Sequence, residues 1–455
     1  MALWNDLREK FFLIDVPSYG NSIFYSLGFL ALVSLTLLVL TGIVMVFFGP
    51  AWWLATGWGI FFRSVHLWSA QAFIFLILLH LLIVFLTSGF KAPRRLTWML
   101  GGLALFLVMI EAEFGYDLRG DFSSQYRALQ GADLYNGAHL GWFINTLNQA
   151  QVYGLHIIDI PLILLAAVFF HYMLVKIRGL AKPYRSDVSY RMVKADHIKL
   201  FARGGVLAAL IVLFAVMFPS PLLEPATIQR VAADSPSLMG QTLMAEFTHT
   251  SDTATYLDSI DPYTYDTREV YVTVPYVKYQ ALTGGPDALA AFAALDPSAQ
   301  QQAIDQATAY YAATTTPQGQ EQNPLIMTMN SLIAMGKNGV YQTTVDGENA
   351  AIQPTYSLRF LADTGVLETE AQQLHMTTDE WGMLREEHGT VPPGAWWLAP
   401  IGVLNHTVLA NDPNGDRDGA LILGLLVLLL VIFPYVPYLN RLPEKLHIAE
   451  WIWRR

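Results

Sequence analysis

Not one of the 455 residues is cysteine. That excludes disulfides, thiolate-held iron–sulfur clusters and thioether-attached haem from this polypeptide, so any such centre must sit on a partner subunit. The absence leaves the redox compartment open. Charge is also scarce, with 14% of residues charged against 53% hydrophobic. The sequence shows no internal repeats and no low-complexity tracts, and no nucleic-acid partner is expected. The first twenty residues, MALWNDLREKFFLIDVPSYG, form a polar, amphipathic lead-in rather than a cleavable signal peptide.

What the chain does have is long apolar runs. A bilayer takes about 20 apolar residues per helix, and six segments are expected to span it, at 23–48, 67–89, 97–114, 158–176, 202–218 and 420–438. The loops after the second and fourth spans, KAPRR and KIRGLAKPYRSDVSYRMVKADHIK, are basic, as are the REK of the lead-in and the tail NRLPEKLHIAEWIWRR. With six spans all four fall on one side, which the positive-inside rule makes cytoplasmic, together with both termini. Residues 219–418 carry 24 Asp/Glu against 7 Lys/Arg, as suits a water-facing domain on the outer, periplasmic side of a cell (inner) membrane.

Two spans carry histidines in matched pairs. RSVHLWSAQAFIFLILLH places His66 and His80 fourteen residues apart, and YGLHIIDIPLILLAAVFFHYML places His156 and His171 fifteen apart. At about 100° per residue, fourteen steps return to within about 40° of the start and fifteen to within about 60°. Each pair therefore projects from roughly one helix face, separated by about 21 Å along the axis. The two spans are one hairpin apart and run in the same direction, so His66 can face His156 near the outer surface and His80 can face His171 deeper in. Two bis-histidine sites stacked across a membrane suit two haems. Other metals fit poorly, because histidines fourteen residues apart on a helix cannot converge on one ion. Helix-packing histidines satisfied by neighbouring hydroxyls are the plainer alternative.

Glycines repeat the interval. Gly28 and Gly42 lie on the first span and Gly101 and Gly115 on the third, fourteen apart in each case. Glycine inside a helix costs about 1 kcal/mol relative to alanine, and it is tolerated where something bulky approaches the backbone. Flat macrocycles at two depths would account for both spacings, and glycine-mediated helix contact is the alternative.

These residues together resemble the cytochrome b family of quinol–cytochrome c and quinol–plastocyanin oxidoreductases, most of all the short form of chloroplasts and cyanobacteria. The likeness covers residues 1–220. SIFYSLG, GIFFRSVHLWSA, TSGFKAPRRLTW, FGYDL and TLNQAQVYGLH, with Pro161 five residues on, stand in the family's order. The resemblance implies that His66 and His156 hold the outer b-type haem and His80 and His171 the inner one, with Gly28, Gly42, Gly101 and Gly115 as haem-packing glycines. It puts Arg63, one turn before His66, against a haem propionate, a favourable cation–carboxylate pairing. It also implies a two-fold dimer of the whole complex.

The sequence departs from the family in three places. Ser26 stands where the chloroplast branch has the cysteine that tethers an extra haem, so no covalent haem is expected. Arg119-Gly120 replaces a Pro-Trp that the family has after Gly115-Tyr116. The family's outer quinol motif, Pro-Glu-Trp-Tyr, is matched only by PPGAWWLAP, in which Ala395 takes the place of the proton-accepting glutamate. About 170 residues between the fifth span and that motif also have no obvious family counterpart. There DALAAFAALDPSAQQQAIDQATAYYAA reads as helix and TREVYVTVPYVKYQ as extended or strand-like. His249, His375 and His388 are read as surface residues, and the insert as a docking platform for an external redox partner.

Quinone chemistry has two candidate locations. On the inner side, Asp196 and His197 in KADHIKL could serve quinone reduction, which takes up protons along with electrons; the alternative makes Asp196 an ordinary N-terminal charge on span five. On the outer side, Glu111 and Glu113 in IEAEFGYD could supply the acceptor that Ala395 lacks, or lie in the headgroup zone.

The expected fold is an all-α membrane protein, a four-helix haem-binding bundle with two further spans and an inserted external α-rich or mixed domain. The expected divisions are 1–220, 221–390 and 391–455. The expected role is a dihaem cytochrome b, the membrane subunit of a quinone/quinol oxidoreductase with iron–sulfur protein and c-type cytochrome partners. A second version keeps both haems, passes electrons between an external oxidoreductase and an inner quinone site, and drops outer-site bifurcation. A third is a transporter or structural subunit without a cofactor.

Overall fold

The computed structural model describes residues 12–184, 189–256, 265–313, 322–347, 356–377 and 396–453. Most of them are helical. Six helices among the described residues are long and apolar enough to cross a membrane: Phe24–Phe48, Gly57–Leu86, Arg95–Asp117, Gln149–Arg178, His197–Met217 and Arg417–Tyr435. The number agrees with the hydropathy reading, and three of the starts do not, the fifth span beginning five residues before the expected 202. The second span begins ten residues before the expected 67, and the fourth begins nine before the expected 158. His66 and His156 consequently lie inside helices rather than at their mouths. Polar residues at the helix starts hid these turns. Thr56 caps the second span by accepting the Gly59 N–H at 3.0 Å, and Arg63 is buried while donating from Nη2 to the Ser220 carbonyl at 2.9 Å.

The chain divides into two compact units, one of Met1–Glu113, Leu155–Pro221 and Leu384–Arg455, the other of Phe114–Gly154 and Leu222–Met383. The divisions expected along the chain, 1–220, 221–390 and 391–455, differ from this in two respects. Residues 396–453 fall in the first unit rather than standing apart. Residues 114–154 cluster with the insert, because Phe122, Tyr126, Ala132 and Leu147 are buried in one core with Ile228, Met239, Leu243 and Phe360.

In the first unit, Leu30, Leu35, Phe73, Ile74, Val108 and Leu164 bring four spans into one apolar core. The remaining two spans lean on this bundle. The fifth approaches closely at Gly204, where an added Cβ would lie 3.1 Å from Phe29 and Val33 side-chain atoms, and Trp68 Nε1 donates to the Phe218 carbonyl at 2.8 Å. The sixth is fixed by Trp98, whose Nε1 donates to the Leu430 carbonyl at 2.7 Å, and by an ion pair of Lys91 with Glu444 beyond its end. Arg94 caps the fourth span by donating to the carbonyls of Arg178, Gly179 and Leu180. A two-stranded antiparallel ribbon, β1 (Asp15–Pro17) with β2 (Met192–Lys194), ties the lead-in to the loop before span five.

The regular elements among the second unit's described residues are all helices. The expected helix over 287–313 is present as Ala288–Ala293 and Pro297–Ala313. TREVYVTVPYVKYQ is not extended. It forms a π-turn at Glu269–Thr273 that runs into the α-helix Val274–Thr283. Its β-branched and aromatic residues favour strand only as half-buried surface. Here Tyr271, Val272, Pro275 and Tyr276 are buried, a helical period that core burial enforces over propensity.

Inside this unit Glu246 is wholly buried, accepts from Ser251 Oγ at 2.7 Å and has the Asp363 carboxyl beside it. Burial, reinforced by Asp363, pushes the Glu246 carboxyl up to about 10. Folded protein then keeps a proton that the unfolded chain releases above about pH 4.3. Stability of the second unit therefore falls as pH rises through the window from about 4 toward the folded value. Thermal unfolding of the intact protein at pH 6 and pH 9 should show a lower midpoint for this unit at pH 9. Glu246→Gln should flatten the difference.

Candidate functional site

The second and fourth spans carry the four histidines on facing sides of the first unit. His66 and His156 approach with ring centroids 6.3 Å apart and ring planes at 70°. Two imidazole–metal bonds of about 2 Å each, with about 1.2 Å from each coordinating nitrogen to its ring centre, require about 6.4 Å. The pair is therefore spaced for one metal ion between two imidazoles.

Ring orientation agrees with that use. Thr41 Oγ1 lies 2.9 Å from His66 Nδ1, and the same hydroxyl donates to the Leu37 carbonyl at 2.7 Å. With its single proton spent on the helix, the hydroxyl accepts from Nδ1–H. His156 Nδ1 faces the Glu111 carbonyl at 3.2 Å and Glu111 Oε1 at 3.1 Å. His171 Nδ1 donates to the Thr97 carbonyl at 2.9 Å. Placing the proton on Nδ1 leaves Nε2 of all three rings with a free lone pair, the arrangement found where imidazole binds a metal.

Glycines open the space these rings need. A Cβ on Gly42 would sit 3.5 Å from His66 Cε1, one on Gly28 would sit 3.3 Å from His80 Cε1, and one on Gly101 would sit 3.1 Å from His171 Cε1. The first span thus serves both histidines of the second, at two depths. Gly115 belongs to the second compact unit.

The unequal spacings of fourteen and fifteen are reconciled by a local change of helix type. Leu155–Asp159 is a π-turn, followed by the α-helix Ile160–Arg178 with Pro161 in its first turn. Pro161 has no N–H to continue the ladder, and the π-turn takes up one extra residue. Fifteen residues then act as fourteen, so the turn from His156 to His171 matches that from His66 to His80. The same offset recurs in the second unit, where a π-turn at Glu269–Thr273 precedes Pro275.

The other candidates have structural partners. Asp196 caps span five by accepting the Lys199 N–H at 2.9 Å, and His197 Nε2 donates to the Leu13 carbonyl at 3.0 Å. Glu113 is partly buried; two residues from Glu111, it points about 200° away around the helix. Arg203 fills the place opposite Ser26, donating to its Oγ at 2.5 Å and to the carbonyls of Asn21 and Ser22. Ala395 and His388 lie outside the described residues. Trp396 from the same motif donates to Gln71 Oε1 at 2.7 Å, on the second span between His66 and His80. His249 meets Asp266 at 3.7 Å on the surface of the second unit.

Three partners of the rings were missed by sequence reasoning. Thr41 offered a signal, a hydroxyl beside Gly42 within an apolar run. Thr97 acts through its backbone, so residue type carries no signal. Glu111 was singled out, but not as a partner of His156.

Comparison with known proteins finds these likenesses. The family model described as "Cytochrome b(N-terminal)/b6/petB" matches residues 71–225, a window holding His80, Gly101, His156 and His171. Cytochrome b6 of Heliobacterium modesticaldum (strain ATCC 51547 / Ice1) is 30% identical over 190 residues, 37% of this chain and 89% of that protein. The cytochrome bc1 complex cytochrome b subunit of Mycobacterium leprae (strain TN) is 32% identical over 174 residues, 35% of this chain and 32% of that subunit. A solved chain of a "Hyperthermophilic respiratory Complex III" overlaps 80% of this chain and 98% of its own at 16% identity, with a TM-score of 0.39.

The glycine contacts generate a test. Gly101→Val should lower the bound b-type haem by one per chain, read from the reduced-minus-oxidised spectrum against protein. Gly205→Val, where an added Cβ meets nothing within 4 Å, should leave the content unchanged.

Proposed function

The chain belongs to the cytochrome b family, and from that membership we propose that it holds two b-type haems and moves electrons across the membrane between a quinone/quinol pool and an external redox partner. One observation carries the reading: His66 and His156 stand at the separation that a shared iron requires, with Nδ1 committed to protein oxygens. The matching glycine contacts at His80 and His171 support a second site about 21 Å away along the helices. When bound, the haems supply one-electron redox chemistry.

The protein's own residues do the remaining work. Thr41, Glu111 and the Thr97 carbonyl hold the imidazoles in one tautomer and orientation. Gly28, Gly42 and Gly101 admit the rings and the groups between them. Arg63, buried near the start of the second span, offers its charge to a propionate at the outer level. The orientation follows the charge bias, with both termini cytoplasmic and the acidic insert outside, where it would meet an iron–sulfur protein, a c-type cytochrome or another oxidoreductase in a dimeric complex.

A second reading keeps the haems and confines quinone chemistry to the inner side. It is favoured by the engagement of Glu111 with His156, which leaves that carboxyl poorly placed to stand in for a quinol acceptor at the outer side. The two readings part under an inner-site inhibitor. With outer-site oxidation, quinol still reduces a b haem and reduced haem accumulates. Without it, quinol reduces neither.

The haem sites themselves are tested by substitution. His66→Ala and His80→Ala should each remove one of two b haems per chain, with loss of the corresponding reduced absorption band, and His249→Ala should remove none. Unaltered porphyrin content in the first two variants would contradict the reading.

A further inference from the structure

The histidines are not held alike. His66 meets a threonine hydroxyl and His171 a backbone carbonyl, both neutral acceptors. His156 meets a carboxyl group. Glu111 Oε1 lies 3.1 Å from its Nδ1, and the Glu111 carbonyl lies 3.2 Å from the same atom. The side chain of Glu111 is 17% exposed, and its other oxygen, Oε2, is buried without a hydrogen-bond partner. Its one strong interaction is therefore with a ring nitrogen. Among the described residues no carboxyl is paired with His66, His80 or His171.

We propose that Glu111 is a positioning residue that lowers the redox potential of one haem through His156. The proposal rests on the reading that the paired histidines hold haem. A carboxylate oxygen at Nδ1–H draws the ring proton more strongly than a hydroxyl or a peptide carbonyl does. The imidazole becomes the better donor through Nε2, and oxidised iron is favoured over reduced. The π-turn at Leu155–Asp159 and the helix turn bearing Glu111 together bring this carboxyl to the ring. At His171 the backbone of Thr97 takes the equivalent place and brings no charge.

The test is a spectroelectrochemical titration of the purified, haem-loaded protein and its Glu111→Gln variant, which keeps an oxygen acceptor of similar shape without the acid. One of the two b-type transitions should move upward by about tenfold in its reduction equilibrium, about 59 mV for a one-electron couple, while the other stays. The low-spin ferric EPR signal of the same haem should shift with it. Thr41→Val, which removes a neutral acceptor from the opposite ligand of that haem, should move the same transition by less.

Two haems with both potentials unchanged in Glu111→Gln would overturn the proposal, and so would equal shifts in both. Should Glu111→Gln lose one haem, Glu111→Asp decides: recovery of the second haem supports the pairing and continued loss overturns it. A wild-type protein without b-type bands would defeat the haem reading itself, a distinct result from an unshifted potential.

Discussion

A histidine inside a bilayer is tolerable only when its polar ring atoms have partners, since an unsatisfied polar group in an apolar medium costs several kcal/mol. That demand organises the first unit. It puts Thr41, beside Gly42 on the first span, against His66, and brings Glu111 and the Thr97 carbonyl of the third span against His156 and His171. Three of the four rings are held by protein through Nδ1, which leaves their Nε2 lone pairs for a ligand.

Much of this was legible in the sequence, for reasons that differ by element. Six spans follow from apolar runs, since length and hydropathy decide membrane crossing almost alone. The meeting of His66 with His156 follows from spacing and from two helices running in the same direction. The first and third spans' relation to the rings was legible only as an interval, and Gly28, Gly42 and Gly101 gave it a meaning once their contacts with imidazole carbons were known. The starts of the second and fourth spans were not legible, because Arg63, Gln149 and Asp159 dilute hydropathy where hydrogen bonds and capping compensate. The π-turn was not legible either. Pro161 hinted at a break, but only the backbone shows that the break removes the mismatch between fourteen and fifteen.

The second unit illustrates the opposite case. Composition alone described it as acidic and water-facing, while its local reading failed at TREVYVTVPYVKYQ, where Tyr271 and Tyr276 are drawn into a helical core. Its buried Glu246 could not have been foreseen, because nothing in the sequence distinguishes it from the exposed Asp and Glu around it. The clustering of residues 114–154 with the insert also depends on contacts distant in sequence, such as those of Tyr126 and Leu147 with Met239 and Phe360 in one core. Asp196 and His197, residue types suited to proton transfer, also cap a helix and tie down the lead-in.

The central claim is that two stacked imidazole pairs each clamp an iron porphyrin. The ratio of haem to polypeptide in the purified native protein tests it most directly, with oxidised-state EPR to report the ligands. The account predicts two b haems per chain, both low-spin with paired imidazoles. A ratio of one or zero, or a high-spin signal from a five-coordinate iron, would contradict it.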